Sequence, residues 1–535
     1  MDDWENVSAE EEAEAAPRPP ASVDYLSDVL FSSLAISDKT KRAIVEDLKY
    51  ERLTRVQNET FPHILEGQDV LAKAKTGNGK TIAFLLPVIE NLVRNGASGN
   101  AIPVLVISPT RELALQIATE ARRVAKFHQL GIACFVGGSS IGKDTKTLTS
   151  SSPLDILIAT PGRLQDHLGQ NTGDIQGRLG RSRVLVLDEA DRLLDMGFRP
   201  EIMKIIGFLP KQRQTLLFSA TLPASTKELK KVALRDDYVF VDTIEDDDQQ
   251  TNVQAVQEFV VAPFQDVIGV VESVLAEHIK QPTFKVMVFF PTARAAQFHA
   301  QLFDAAGFPN VLEIHSRKSQ PHRTKTAEAF RKGNRVLLFS SDVSARGVDY
   351  PDVSLVLQVG LTDRDQYIHR VGRTARAGMK GRGVLVLADF EAPLLKELSD
   401  LPLTEYKLPP AVSAALASSR TRRVMDNLSS NKELEKSAQQ SYQAWLGFYN
   451  THMKRLRIDR VHLVQLAAEY SAQIGLREVP KLEKKTLRKM NLFGVPGIEA
   501  SAYEPRGGNG NGSRGGGGGS GQRNGGGQRN GGGRW

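Results

Sequence analysis

The stretch Ala74-Lys75-Thr76-Gly77-Asn78-Gly79-Lys80-Thr81 decides the fold. An apolar strand is expected just before it, over residues 69–72, and an apolar helix just after it, over 82–93. Gly77 and Gly79 let the backbone curl until several N–H groups face one centre, and the helix N-terminus adds its positive dipole end. Such a loop cradles phosphates. Lys80 reaches the β and γ positions, and Thr81 offers a hydroxyl to Mg²⁺. Ala74 stands where the generic pattern has its first glycine. A glycine turn arising by chance would not stand in register with both a strand and a helix.

Outward from this loop, the strand expected over 184–187 ends in Asp188-Glu189-Ala190-Asp191. Carboxylates that follow a buried strand sit at the C-terminal edge of a sheet, where doubly wound folds bind ligands. Asp188 is then placed to hold Mg²⁺ and Glu189 to orient and deprotonate an attacking water. Further strands are expected over 102–107, 132–136, 156–159 and 216–218. Each is short and apolar throughout, as strands buried on both faces are. Helical spacing fills the gaps, for example over 112–127, and the alternation implies a parallel, doubly wound sheet. An acidic linker follows over 243–254, then a second alternation with strands over 286–290, 311–314, 336–339, 355–357 and 384–387. Two tandem α/β units make the cleft between them the natural ligand site. In the second unit Arg373 and Arg376 share one helix face and suit the charge of a γ-phosphate.

The chain has 535 residues, with Lys+Arg 69 against Asp+Glu 62 and a net charge of +7. That is too long for one domain. The composition, 41% hydrophobic and 24% charged, is that of a globular protein. The lone Cys134 excludes a disulfide framework and a multi-cysteine zinc site, and it reads as inert. No apolar run approaches membrane-helix length. The organisation expected is an acidic disordered leader over 1–21, the first α/β unit over 22–242, the linker, the second unit over 255–400, a helical extension over 401–497 and a disordered Arg/Gly-rich tail over 498–535. Tyr442, Trp445, Tyr449, Met453 and Leu456 recur at helical spacing and are expected to pack on the second unit. His63, His128, His167 and His299 lack metal-ligand spacing and read as core or surface histidines.

With these residues in place, the chain resembles the DEAD-box RNA helicases of superfamily 2, whose name sequence stands at 188–191. The likeness runs from Phe31 through Tyr50 and Gln57, the phosphate loop, Pro109-Thr110-Arg111-Glu112-Leu113, Gly137-Gly138, Thr160-Pro161-Gly162-Arg163, Ser219-Ala220-Thr221, Gln320 with Arg323, Ser341-Asp342, Arg346-Gly347-Val348-Asp349, and on to Arg376. It implies two tandem RecA-like domains, ATP and Mg²⁺ as cofactors and RNA as partner. By the same resemblance Tyr50 stacks on adenine, Gln57 reads its edge and Thr54 supports the pocket. Lys75, Thr76, Gly77, Asn78, Gly79, Lys80, Thr81, Gly347, Asp349, Arg373 and Arg376 hold the nucleotide. Lys80, Thr81, Asp188, Glu189, His369, Arg373 and Arg376 serve hydrolysis, with Thr81 and Asp188 on the metal. Ser219, Thr221 and Asp191 couple nucleotide state to RNA grip. Pro109, Thr110, Arg111, Gly138, Thr160, Gly162, Arg163 and Ser341 line the RNA backbone path.

Some positions depart from the family pattern: Leu53-Thr54-Arg55 replaces Pro-Thr-Pro, Ser341 replaces Thr, Ser344 replaces Ala, and Gly360 stands where many members have Asp. Other features, including Ala444-Trp445-Leu446-Gly447 and the tail, resemble the fungal mitochondrial intron-splicing helicases and, more closely, their plant organellar relatives. The activity implied is that of an ATP-dependent RNA helicase and RNA chaperone that unwinds short duplexes locally, with RNA splicing as a subgroup role. The alternative is an ATP-gated RNA clamp that scaffolds a particle. A monomer without membrane contact is expected. The subgroup implies a mitochondrion or other organelle. The acidic start Met1-Asp2-Asp3-Trp4-Glu5 does not read as an import signal, which leaves cytoplasm or nucleus as the alternative.

Overall fold

The computed structural model describes residues 25–75, 77–96, 99–222, 226–244, 255–342, 350–375, 380–408 and 418–501. The expected leader, most of the linker and nearly all of the tail lie outside the described residues. Among the described residues, no helix is long and apolar enough to cross a membrane.

The first lobe opens with an antiparallel pair, β1 (Leu26–Leu30) and β2 (Arg52–Thr54), and helix α1 (Arg55–Leu65). Its sheet comprises β3 (Val70–Lys73), β4 (Val104–Ile107), β5 (Ile132–Phe135), β6 (Ile156–Ala159), β7 (Val184–Asp188), β8 (Gln214–Ser219) and β9 (Val239–Asp242). Helices α2 (Lys80–Asn95), α3 (Arg111–Val124) and α4 (Pro161–Gln170) follow β3, β4 and β6. The second lobe carries β10 (Ala255–Ala262), β11 (Phe284–Phe289), β12 (Val311–Ile314), β13 (Arg335–Ser340), β14 (Leu355–Val359), β15 (Gly381–Ala388) and β16 (Leu403–Glu405). Helices α5 (Ala293–Ala305), α6 (Gln320–Lys332) and α7 (Arg364–Val371) follow β11, β12 and β14.

Both sheets are parallel and have seven strands, in the orders β5-β6-β4-β7-β8-β3-β9 and β12-β13-β11-β14-β15-β10-β16. Counted within each lobe, both orders read 3-4-2-5-6-1-7, so the lobes repeat one topology that no sequence repeat announces. The central strands are buried along their whole length, because helices cover both faces and leave no polar side. In the first lobe the two faces form separate cores, one around Phe84, Ile117 and Val186, the other around Leu105, Leu157 and Ile205.

Two boundaries differ from expectation. Thr243, placed in the linker by its acidic neighbours, still belongs to the first lobe, since its N–H donates to the Lys73 carbonyl at 3.0 Å. Residues 403–405, placed in the helical extension, add the edge strand β16 beside β10, because paired backbone there satisfies an otherwise open sheet edge.

The extension is built on α8 (Lys432–Leu456) and α9 (Arg460–Gln473). Its buried stripe, Tyr442, Trp445, Tyr449 and Leu456, belongs to the same continuous core as Val270, Leu302 and Leu387 of the second lobe. Trp445 stacks on Tyr470 at 5.0 Å and lies 5.8 Å from Phe264, so it anchors packing. Cys134 lies in β5, where burial pushes its thiol up to about 12, as an unreactive core thiol requires.

Candidate ATP site and cleft between the lobes

The strand order divides the work of the first sheet. β7, β8 and β3 are neighbours, and the segments leaving their C-terminal ends meet. Gly79, at φ +78°, is the N-cap of α2, and Lys80 is its first residue. A Cβ at position 79 would lie 2.3 Å from Gln57 Nε2, so the turn needs glycine twice over. That contact exists because Gln57 Nε2 donates to the Gly79 carbonyl at 3.0 Å. The other end of the same amide closes a capping box on α1: Thr54 N–H donates to Gln57 Oε1 at 2.9 Å, and Gln57 N–H to Thr54 Oγ1 at 3.4 Å. Gln57 therefore fixes the height of the phosphate loop against the first helix. Tyr50 is partly buried, 6.2 Å from Phe31 between ring centroids.

Lys80 Nζ lies 3.3 Å from Glu189 Oε1 and donates to the Ala74 carbonyl at 3.2 Å. Glu189 adopts φ +49°, a left-handed conformation that strains a non-glycine residue and aims its carboxylate back at the loop. Asp188 is buried, and its carboxyl is pushed up to about 8, first by burial and then by the neighbouring Glu189 charge, with Lys80 opposing. Thr76 lies outside the described residues.

Asp191 is the hub between lobes. Its N–H donates to Ser219 Oγ at 3.3 Å, and its Oδ2 accepts from Thr221 Oγ1 at 2.7 Å. His369 Nε2, on α7 of the second lobe, lies 3.1 Å from the same Oδ2. Arg373 Nε donates back to the His369 carbonyl at 3.2 Å, and Arg370 forks onto Asp342 Oδ1 at 2.8 and 3.0 Å. Thus Ser219, Thr221, Asp191, His369 and Arg373 form one buried chain across the seam. Gly347, Asp349 and Arg376 lie outside the described residues.

The other half of the sheet, β5-β6-β4, serves a different surface. The loops after these strands line an open cleft of about 620 Å³ with Pro109, Thr110, Arg111, Gly137, Thr160 and Gly162. The second lobe closes its far wall with Ser316, Arg323 and Ser341, from the segments following β12 and β13. Thr110 and Thr160 are the N-cap residues of α3 and α4, so two helix N-termini open into the cleft. Gly138 holds φ +79° and a Cβ there would lie 2.5 Å from Arg111 Nη1, so the glycine lets that guanidinium lie along the loop. Arg163 reaches the same wall with its charge already committed. Nη1 donates to Asp144 at 3.1 Å and Nη2 to the Ser139 carbonyl at 2.6 Å. His167 is fully buried on the same Asp144. Arg163 shapes the Gly137-Gly138 loop rather than presenting a free cation, a point that residue type alone could not reveal.

Sequence reading missed a second contact across the seam. Arg323 Nη1 lies 2.9 Å from Glu112 Oε1, and Gln320 Nε2 donates to the same oxygen at 3.3 Å. Both members stand in stretches singled out from the sequence, but nothing there pairs residues 211 positions apart (323 − 112).

A phosphate loop and acidic strand end, closed by basic groups of a second lobe, define a two-lobed P-loop nucleoside triphosphatase. Comparison with known proteins makes the assignment specific. The DEAD/DEAH box helicase family model matches residues 54–229, and the helicase conserved C-terminal domain matches 269–378. DEAD-box ATP-dependent RNA helicase 26 of Oryza sativa subsp. japonica is 47% identical over 479 residues, 89% of this chain and 87% of its own. DEAD-box ATP-dependent RNA helicase 31 of Arabidopsis thaliana is 45% identical over 506 residues, 93% of this chain and 68% of its own. Among solved structures, Mss116p bound to ssRNA and AMP-PNP superposes with a TM-score of 0.76 at 27% identity, covering 90% of this chain and 99% of that one. The chain belongs to the DEAD-box ATP-dependent RNA helicases.

Proposed function

We propose that this chain hydrolyses ATP at the seam between its lobes and uses closure of that seam to bend one RNA strand. The observation that carries the reading is the division of the sheet edge: one half gathers Lys80, Asp188, Glu189 and Asp191, the other gathers two helix N-termini beside Arg111. Backbone N–H groups and helix N-termini hold phosphates without reading bases, so the cleft suits a nucleic-acid backbone of any sequence. A strand bent by closure leaves A-form geometry, and its partner strand cannot follow. In this reading Lys80 binds the β and γ phosphates and Glu189, held back by its own strained backbone, orients and deprotonates the water. Arg373 and Arg376 neutralise charge on the transferred phosphoryl group, and His369 reports closure to Asp191.

Mg²⁺ fits the donor set. Thr81 and Asp188 offer oxygens only, and a buried carboxyl already raised to about 8 is one that a hard cation would favour in its ionised form. Thr81 and Asp188 would hold the ion, which would supply charge neutralisation for the triphosphate. We also infer an organellar address from the subgroup resemblance. Imaging the tagged full-length protein tests it, and exclusion from mitochondria and plastids would contradict it.

The test of function is displacement of one strand from a short RNA duplex under excess ATP. Multiple-turnover displacement supports the helicase reading. ATP-dependent RNA retention without displacement would favour the clamp.

A further inference from the structure

The helical extension reaches the helix that carries His369 through four residues. Between β14 and α7 the chain makes the turn Gly360-Leu361-Thr362-Asp363. Asp363 caps α7, its carboxylate accepting from Gln366 N–H at 2.7 Å. The two residues before it are held from outside. Leu361 N–H donates to Glu391 Oε1 at 2.6 Å, and Ala388 N–H donates to Glu391 Oε2 at 2.9 Å. Tyr449, on α8, donates its hydroxyl to Glu391 Oε1. One turn and a half further along α8, Arg455 Nη2 donates to the Thr362 carbonyl at 2.6 Å, while its Nε binds Glu397 Oε1 at 2.8 Å. Helix α8 thus holds the Thr362 C=O directly through Arg455, and the Leu361 N–H at one remove, through the Glu391 carboxylate that Tyr449 bonds.

Glycine at position 360 belongs to this clamp. It holds φ +82°, and a Cβ there would lie 3.1 Å from Tyr449 Oη, 3.2 Å from Pro291 Cγ and 3.4 Å from Glu391 Oε1. The aspartate common elsewhere in the family would press a second carboxylate against buried Glu391, in a conformation that L residues resist.

We propose that Tyr449 and Arg455 are positioning residues for the ATPase: they fix the turn that launches α7 and so set where His369 and Arg373 meet the first lobe. This deepens the reading above and rests on His369 acting at closure. A purely structural extension would stabilise the second lobe and leave the closed state indifferent to these two hydrogen bonds.

The experiment measures steady-state ATPase with saturating RNA, together with ADP binding and thermal stability, on the full chain. Tyr449→Phe keeps the ring and its packing and removes only the hydroxyl. Arg455→Lys keeps the charge of a partly exposed side chain, so it folds even if the first variant does not, but a shorter lysine without the planar fork cannot reproduce the three bonds to both Glu397 oxygens and the Thr362 carbonyl. Each is expected to lower RNA-stimulated kcat by about 3- to 10-fold, the scale of one hydrogen bond, while ADP affinity, to which the first lobe contributes Tyr50, Gln57 and the phosphate loop away from this turn, stays unchanged. In a His369→Ala background, Tyr449→Phe should have no further effect on kcat. Parental kcat in both variants, whatever happens to thermal stability, would overturn the proposal. So would effects that multiply with His369→Ala. Loss of ADP affinity along with kcat would also count against it, by marking general damage. If His369→Ala itself leaves kcat at the parental value, the role of His369 and this proposal fall together. If His369→Ala abolishes stimulation while both clamp variants behave as the parent, only the proposal falls.

Discussion

Asp191 Oδ2 and His369 Nε2 face each other at 3.1 Å across the seam, and both side chains are fully buried. The same carboxylate oxygen accepts from Thr221 Oγ1, so one acceptor is shared between the Ser219-Ala220-Thr221 segment and the second lobe. Replacing His369 by alanine leaves a buried carboxylate short of a partner only when the lobes close. RNA-stimulated ATPase should fall by at least about tenfold, the scale of a hydrogen bond to a charged group, with ADP affinity unchanged. Equal turnover in the variant would remove this contact from the mechanism.

Glu189 is the residue assigned to the water. Glu189→Gln keeps the size and the left-handed backbone and removes the base. Turnover should fall by about 10² to 10⁴, the range of general-base catalysis, while RNA binding in the presence of ATP becomes longer-lived. Filter binding with and without ATP reads the second effect. A variant that hydrolyses ATP like its parent contradicts the role.

The Glu112–Arg323 contact should matter only in the closed state. Arg323→Ala strands a buried carboxylate, at a cost of about 3 kcal/mol to closure. Affinity for oligouridine in the presence of a non-hydrolysable ATP analogue should drop more than a hundredfold, while affinity for oligouridine alone changes little. Equal losses in both conditions would make Arg323 a simple RNA contact.

Asp188 sets a pH dependence. Its folded value, about 8, lies above its ordinary 3.8, so the free protein favours the protonated form and loses stability as pH rises from about 4 to 8. If Asp188 holds Mg²⁺ as proposed, binding Mg²⁺ and ATP requires the carboxylate and releases a proton near neutral pH. Apparent affinity for Mg²⁺–ATP should strengthen with pH by up to about tenfold per unit below 8, and the thermal shift on binding should grow in step. Calorimetry in buffers of different ionisation heat counts the proton. No proton released, with affinity flat from pH 6 to 8, would contradict it.

Much of this was legible in the sequence because it is local. The phosphate loop, the strand end at Asp188–Asp191 and the His369–Arg376 segment are each short, and apolar runs between them marked the strands, although Arg373 lies in the turn beyond Val371, the last residue of α7, and not on the helix face expected. What stayed hidden is relational. The shared 3-4-2-5-6-1-7 order, which sends ATP chemistry to one half of each sheet and the cleft to the other, depends on pairing between distant strands. Arg163 lines the cleft as expected, but its ion pair with Asp144 stayed hidden because Asp144 lies in a different helix. Gly360 stood out only as a departure from the family pattern, and its closeness to Tyr449, 89 positions later (449 − 360), is visible only in the fold. Strand β16 was missed because a three-residue edge strand carries no periodicity.

The central claim is that ATP and RNA together hold the two lobes in the closed arrangement. Small-angle scattering of the full chain should show a contraction when a non-hydrolysable ATP analogue and oligouridine are added together, and little change with either alone. A radius of gyration that stays the same with both present would contradict the account.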